Sequence, residues 1–542
     1  MLPVSFDKLS GSAKLFLDFV NFAGTAPQYY KYDFRDLSSY REAAQRIDRK
    51  SYQREKLVSI IRDAIHHLKP PEKIKNNIDK LANPESLVVF AGQQVGMFLG
   101  PMYTVLKALT AYKLASKIES ELGRPVVPCF WMATDDHDFD EIKNVRLLNR
   151  GGECISVFYE PASPPHGAPM ADVLLDDSIK DLLKQVEENL LETEYTGHIK
   201  NLMESSYISG RRLPEAFATL FNQLMEDFGI VPIDPNYPGL KRIMAPVFLG
   251  EIENHPEIFE RFERRSLEII SAGYHRQVHK TGDSLNLFVN ENGRRNVIVG
   301  SRGFRLDGHN DIFTREQLLE MLDRAPEKFS PNVCLRPIAQ CFAFPTICQV
   351  VGPSEAAYFA QIQPLFDYSN VPWPVVKPRM FASLVEPHIQ KIFNKLSLDF
   401  ASLYDDTEYE ISRVIKEKFP PETQQKAEFL RSEIEKPLLD LLKSLKNSDS
   451  ESSQAIEHTR KRIDHELNHL SKKLFATHKK RHETVKGQIY RAAKFLFPDG
   501  KFQERVLSPV YFANKFGPGI FREMESKLDI DSVDHQIIEI EK

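Results

Sequence analysis

The stretch from Leu87 to Asp138 limits the fold of this chain more than any other. It runs Leu-Val-Val-Phe (87–90), a loop with Gly92, Gly96 and Gly100 at every fourth position, Pro101, and a helix from Met102. A second apolar run, 126–133, then ends in Thr134-Asp135-Asp136-His137-Asp138. Strand, glycine-spaced turn, helix and strand make one βαβ unit, with polar residues at the carboxyl ends of both strands. In open α/β sheets ligands bind at that edge.

At 542 residues the chain exceeds one compact core, and two to four structural units are expected. A hydrophobic content of 42 % with 27 % charged residues is that of a soluble globular protein. The net charge of −5 supplies no general attraction for nucleic acid or an acidic membrane surface, so neither is expected as a partner. No run of apolar residues is long enough to span a bilayer, and Met-Leu-Pro-Val-Ser-Phe-Asp-Lys lacks the pattern of a secretory signal. A cytoplasmic location follows as the expectation. Cys129, Cys154, Cys334, Cys341 and Cys348 form no Cys-x-x-Cys pair and no disulfide framework, and Pro337 and Pro345 interrupt the evenly spaced last three. They read as structural thiols, and no metal site is expected.

Residues 1–80 read as mostly helical, with one helix from Ser39 to His67 stopped by Pro70-Pro71. Beyond Asp140 the pattern turns irregular through Gly151-Gly152 and the proline-rich 161–169. Helix with breaks follows over 178–227, then a buried strand at 230–235. From Ser284 the period changes to two. Leu285, Leu287 and Val289 alternate, Glu291-Asn292-Gly293 turns, and Val297-Ile298-Val299 returns, which predicts a β-hairpin extended past Gly303. A strand over 346–351 leads through Gly352-Pro353 into a helix to about Phe366, with Ser354 as its N-cap, and Val375-Val376 adds a short strand. This second strand–turn–helix unit mirrors the first. From Pro387 to Phe497 the chain is helical. Ile434, Leu438, Leu441 and Leu445, and again Ile463, Leu467, Leu470 and Leu474, step by four, three and four around a polar loop at 447–453. That predicts an antiparallel helical hairpin of coiled-coil type.

Gly92, Gly96 and Gly100 either let bare backbone approach an anion at a helix N-terminus or serve close helix–sheet packing. Gln93 and Gln94 sit where the first strand ends, and Tyr103, Thr104 and Lys107 fall in the first turns of the helix. Thr104 and Lys107 share a face that suits a phosphate, although a lysine on a helix is commonly just solvated. Asp136, His137 and Asp138 suit an amine, a ribose hydroxyl or a proton transfer near neutral pH; the alternative is a solvated, helix-capping loop. Arg336, Gln340, Glu355, Tyr358 and Gln361 bracket the second unit, and Arg379 follows its last strand. Structural ion pairs are the competing explanation for these arginines. No Gly-x-Ser-x-Gly, His-Glu-x-x-His or dinucleotide fingerprint is present.

Several of these stretches together resemble one family, the cysteine-adding BshC enzymes of bacillithiol biosynthesis. The resemblance rests on Gly92-Gln93-Gln94, on residues 100–104, on Asp136-His137-Asp138-Phe139, and on Leu335-Arg336-Pro337 with Pro345-Thr346. It continues through residues 351–355 with Tyr358, then 374–379, Leu496-Phe497-Pro498 and Gln503-Glu504-Arg505. It implies an α/β fold with a Rossmann-like core of the nucleotidylyl-transferase type, inserted connecting segments and an α-helical antiparallel coiled-coil domain supporting a homodimer. The domains expected are 1–150 (first part of the core with N-terminal helices), 151–229 (helical insertion) and 230–386 (second part, with the hairpin near 284–306). The coiled coil would span 387–497, and 498–542 would dock back on the core. The activity implied is addition of L-cysteine to glucosaminyl-malate, with ATP as the adenine nucleotide and Mg²⁺ as a companion ion. Neither His-x-Gly-His nor Lys-Met-Ser-Lys-Ser, the ATP motifs of class I synthetases, is present. On this reading Asp136, His137 and Asp138 are catalytic. Gly92, Gln93, Gln94, Gly96, Gly100, Thr104 and Lys107 bind the nucleotide or another anion. Tyr103, Arg336, Gln340, Glu355, Tyr358 and Arg379 bind substrate. The alternatives are a non-catalytic nucleotide-binding assembly protein and a transferase using a pre-activated cysteine donor.

Overall fold

The computed structural model describes residues 3–541 except 10, 166, 283, 292–293, 301–302, 307–311 and 446–449. The chain forms two compact units, Met1–Leu384 with Lys501–Ile538, and Val385–Gly500 with Glu539–Glu541.

The first unit is built on five strands: Leu87–Gln93 (β1), Val126–Met132 (β2), Val231–Ile233 (β3), Thr346–Val351 (β4) and Val375–Pro378 (β5). Their order is β5-β4-β1-β2-β3, and every neighbouring pair is parallel. All residues of β2 and β4 are buried, as strands of a parallel sheet covered on both faces must be. From β1 the chain steps outward to β2 and β3, then returns to lay β4 on the other flank of β1. Connections therefore leave β1 and β4 in opposite directions, which opens a crevice at their carboxyl ends.

Four helices matter for that crevice: Tyr103–Leu122 (α1), Pro238–Ser271 (α2), Arg336–Ala343 (α3) and Pro353–Tyr368 (α4). The first strand–turn–helix unit folds as its pattern predicts, and Gly123 ends α1 in the left-handed region at φ 66°. In the second unit the N-cap is Gly352, not Ser354. Pro353 takes the first helical position, where its missing N–H costs nothing, and the Glu355 carboxylate accepts the Gly352 N–H at 2.7 Å.

The single helix expected over 39–67 is two, Leu37–Asp48 and Arg54–Ile65, with Asp36 capping the first through the Ser38 N–H. Gly151-Gly152 is the tip of an antiparallel hairpin, Asn144–Leu148 with Cys154–Phe158, where the sequence reads as irregular. Conversely α2 runs 34 residues through Pro246 and Pro256, absorbing a kink at Asn254 (φ −122°). The period-two segment forms the expected hairpin, Ser284–Glu291 with Arg294–Gly300, inside a five-stranded sheet completed by Phe304–Leu306, Ile312–Phe313 and Phe329–Pro331. Its turn at 292–293 lies outside the described residues.

In the second unit, Pro421–Leu445 and Ser450–Arg481 form the predicted helical hairpin. Ion pairs Arg431–Asp464 and Arg460–Glu435 fix its antiparallel register, and Ile434, Leu438, Ile463 and Leu467 line the groove between the two helices. Part of the predicted polar loop, 446–449, lies outside the described residues. Among the described residues no helix is long and apolar enough to cross a membrane.

Candidate active site

The carboxyl ends of β1 and β4 open onto a cavity of about 910 Å³. At its base lies Lys107, on the second turn of α1, with a side chain 5 % exposed. Its ammonium donates to Gly92 O and Gln93 Oε1, both at 2.9 Å, and pairs with Glu355 Oε2 at 2.5 Å. Burial pulls Lys107 below the usual lysine range, and the Glu355 carboxylate opposes that shift. Because the same Glu355 oxygen caps Gly352, one ion pair ties together the turns that follow β1 and β4.

One part of the wall is cationic. Arg336, at the start of α3, donates to Gln340 Oε1 at 3.0 Å and to the Tyr358 hydroxyl at 2.9 Å, and Gln340 in turn donates to Gln349 Oε1 at 2.7 Å. Among the described residues no carboxylate pairs with Arg336, so its charge is uncompensated. Burial pushes the Tyr358 phenol up to about 12, so it stays protonated. Arg379 also lines the cavity, but its two terminal nitrogens grip Glu504 at 2.9 and 2.6 Å, both side chains being buried. The neighbouring Arg505 is exposed and lines the same cavity, and its guanidinium has no hydrogen bond or ion pair among the described residues.

Another part is acidic. The Gln94 amide donates to Asp136 Oδ2 at 2.6 Å and to Glu141 Oε2 at 2.8 Å. Asp136 Oδ1 accepts the His137 N–H at 2.8 Å, and the half-exposed His137 ring has Nδ1 3.8 Å from that oxygen and packs near Phe288. Asp138 caps the short helix Phe139–Ile142 through the Glu141 N–H and is not among the cavity-lining residues. Asp135 does line the cavity, and is paired at 2.6 Å with the fully buried Lys241, which also donates to Ser330.

A second cavity of about 170 Å³ adjoins the first, sharing Gln93, Gln94, Tyr103, Glu141 and Arg505 and adding Gly96, Gly100, Thr104 and Arg146. The Thr104 hydroxyl is buried there with no hydrogen-bond partner among the described residues. The turn above it is left-handed at Phe98 (φ 47°), Leu99 (φ 71°) and Gly100 (φ 64°). It is held from outside: the Phe98 N–H donates to the Tyr207 hydroxyl at 3.0 Å, and the Ser508 hydroxyl donates to Phe98 O at 3.0 Å. Two of the three glycines are needed for close approach. A Cβ at Gly92 would lie 3.0 Å from Trp131 O, and one at Gly96 3.1 Å from the Gly100 Cα.

Residues 3–380 match the model of the BshC N-terminal Rossmann-like domain of bacillithiol biosynthesis, and residues 382–540 match that of the BshC C-terminal coiled-coil domain. The chain belongs to the BshC family. A relative from Salinibacter ruber, named "Putative cysteine ligase BshC", is 31 % identical over 97 % of this chain and 96 % of its own length. Relatives of the same name from Prosthecochloris aestuarii (29 %, covering 97 % and 96 %) and Koribacter versatilis (28 %, covering 95 % and 96 %) align as fully. Among solved structures, a Campylobacter jejuni chain titled "putative arginyl t-RNA synthetase" matches over 81 % of this chain and 92 % of its own. Its identity is 8 % and its TM-score 0.25, and it carries no part of the argument.

In this BshC chain the residues expected to form one nucleotide site are divided between two cavities. Gly92, Gln93, Gln94 and Lys107 line the large one, while Gly96, Gly100 and Thr104 line the small one, with Gln93 and Gln94 shared; Tyr103, expected to bind substrate, also lines both. Thr104 and Lys107 therefore do not converge on one ligand position. Arg336, Glu355 and Tyr358 come together as expected, with Gln340 behind them. Asp135, Glu141, Arg505 and His279, all lining the large cavity, are not singled out by sequence. Arg505 ends a motif that carries the family resemblance, and Asp135 lies inside the acid cluster. For the partnership of Asp135 with Lys241, more than a hundred residues away, no sequence signal exists. Among the described residues no group of three or more His, Cys, Asp or Glu side chains is arranged to hold a metal ion.

Proposed function

We propose that this chain joins L-cysteine to the amine of glucosaminyl-malate, forming an amide in the last step of bacillithiol biosynthesis, with ATP activating the cysteine carboxylate. The observation that carries the reading is a single cavity at the switch point of the sheet, with uncompensated guanidinium groups on one part of its wall and acids with an imidazole on another. The names of the full-length relatives support the same activity.

A carboxylate is a poor electrophile. Its oxygen first attacks a phosphorus of ATP, displacing pyrophosphate to form an acyl-adenylate or ADP to form an acyl-phosphate. The amine nitrogen then attacks the carbonyl carbon, the phosphorylated group leaves, and a proton is lost from nitrogen. His137 takes that proton, with Asp136 orienting it and accepting from an ammonium in exchange for the Gln94 amide. Asp138 acts by capping the helix that carries Glu141. Arg336 and Arg505 meet the malate carboxylates through paired N–H donors, while Arg379 serves the fold through Glu504. Lys107, whose three N–H groups already serve Gly92 O, Gln93 Oε1 and Glu355, holds the base of the site to which the phosphates come. These bring Mg²⁺ with them as their companion ion, since magnesium usually keeps substrate phosphates and water among its ligands. Thr104, Gly96 and Gly100 offer the smaller cavity to a detached anion. The exposed Leu441, Leu470 and Leu474 of the helical hairpin support pairing with a second copy.

Mass spectrometry of a mixture of protein, glucosaminyl-malate, cysteine and Mg-ATP tests the reading. Bacillithiol with AMP establishes the ligase and the adenylate route, and bacillithiol with ADP the acyl-phosphate route. No product from folded protein sinks the self-sufficient ligase. H137A should abolish product without changing the sedimentation behaviour of the protein.

A further inference from the structure

We infer that His279 is a substrate-contacting residue, presented to the cavity by an arm whose anchoring exists to place it, and that it reads a carboxylate of an acidic substrate alongside Arg336. The inference rests on the cavity being the site proposed above.

The arm is the irregular stretch 275–282, between the end of α2 and the strand that begins at Ser284. Connections of this kind normally run over the surface and satisfy their backbone with water. This one is tied down by buried polar side chains. Gln361, fully buried on α4, accepts the N–H groups of Gln277 (3.1 Å) and Val278 (2.8 Å) through Oε1. Its amide nitrogen donates to Val278 O (3.1 Å) and to the Ser266 hydroxyl (3.0 Å), so the whole side chain is consumed. Arg276 donates to Val278 O at 3.0 Å and forms a two-pronged pair with Glu263 at 2.9 and 2.6 Å.

The far end is held as firmly. The buried Glu251 accepts from the Asn286 backbone at 2.7 Å and side chain at 3.1 Å, and Lys280, 5 % exposed, lies 3.8 Å from it with its ammonium making no hydrogen bond among the described residues. His255 bonds Gly282 O at 2.9 Å. Burying this many polar and charged groups is costly unless each is satisfied, and a solvated loop would have avoided the cost.

What the anchoring delivers is narrow. Gln277, Val278 and His279 are the arm residues that reach the cavity. Val278 is apolar, and the Gln277 side chain accepts from His275 Nε2 through Oε1 at 3.0 Å. The exposed His279 ring has no hydrogen bond or ion pair among the described residues. The anchor Gln361 is one turn along α4 from Tyr358, whose hydroxyl accepts from Arg336. The arm is therefore fastened one helical turn from Tyr358, and an imidazole N–H that lines the same cavity as an uncompensated guanidinium matches an oxygen-rich anion. A dicarboxylate is the chemical class that fits.

The test is binding of L-malate to the full chain by calorimetry, together with steady-state turnover. H279A should weaken malate binding about tenfold, the scale of one charge-assisted hydrogen bond, and raise KM for the acid-bearing acceptor by the same factor with kcat within about twofold. H279Q, which keeps a donor, should recover part of the loss. Q361A, which frees the arm while leaving the imidazole, should weaken malate by a smaller factor, and H137A should leave malate affinity as in the parent. Unchanged malate affinity and KM in H279A would overturn the assignment while leaving the cavity reading intact. A loss confined to kcat would equally overturn the carboxylate role. Absence of both malate binding and turnover in the parent protein would bring down the cavity reading and this inference together.

Discussion

The two turns that face one another across the switch point reach similar positions by opposite means. The turn after β4 is one residue, Gly352, closed locally by Pro353 and the Glu355 carboxylate three residues on. The turn after β1 spans residues 94–102 and contains three consecutive left-handed residues. It keeps its shape through Tyr207 and Ser508, and through the Met102 N–H on Leu507 O at 2.8 Å. A locally capped turn is specified within its own few residues. A turn held by groups a hundred and four hundred residues away is only as firm as the packing that brings them in, and the anionic ligand is expected at that one.

The largest effect should come from cutting the link between them. K107A leaves Glu355 without its cation and should cost about 3 kcal/mol in urea unfolding, the scale for breaking a largely buried pair. Product formation should fall at least about 100-fold, the scale seen when one preorganised electrostatic group is lost. Unfolding midpoints near the parent value with full activity would show the two turns to be independent.

Next in size is the contrast between glycines. G92A drives a methyl group against the Trp131 carbonyl and should cost about 2 kcal/mol. G352A meets the ends of two side chains, Glu355 Oε2 at 3.4 Å and Lys107 Cε at 3.9 Å, and should cost under about 1 kcal/mol. Equal losses would erase the distinction drawn between the turns.

Acid should sharpen it. His535 lies in the same C-terminal segment, 501–538, that braces the first turn, fully buried with Phe502 stacked on it and the Ser383 hydroxyl 2.9 Å from Nε2. Burial pushes its imidazole down to about 4, from 6.5 in the open chain. Between those values the unfolded state binds the extra proton, so stability declines as pH falls from about 6.5 towards 4. The loss should reach about 2 kcal/mol at pH 5 relative to pH 7.5 and be reduced in H535N. Amide exchange at pH 5 should rise in residues 94–102 before it rises at 352–355. Y207F removes the acceptor for the Phe98 N–H and should cost about 1 kcal/mol, half the loss expected for G92A.

The legible parts of this molecule are those whose cause is periodic or local. Apolar runs at 87–90 and 126–133 become neighbouring parallel strands because fully buried strands have to read that way. The alternation from Ser284 becomes a hairpin, and the stepped leucines become paired helices. The misreadings follow from the same limitation. The single helix expected over 39–67 is two, Leu37–Asp48 and Arg54–Ile65, because tertiary packing outweighs local propensity. Gly151-Gly152 looks like disorder in the pattern, yet the strands flanking it find each other.

For the site, sequence by itself determined that acids and glycines lie at the carboxyl edge of a parallel sheet, and that Arg336, Glu355 and Tyr358 accompany them. Tertiary structure alone decided which charges remain available. Arg336 and Arg379 look equivalent in the sequence, but Glu504, 125 residues further on, takes up Arg379 while Arg336 finds only neutral acceptors. Lys107, plausible on sequence as a solvated side chain, is buried against Glu355 from the other flank of the sheet. The physical reason is range: hydrophobic periodicity is written in adjacent residues, whereas the partner of a charge is whichever group the folded chain brings within about 4 Å of it.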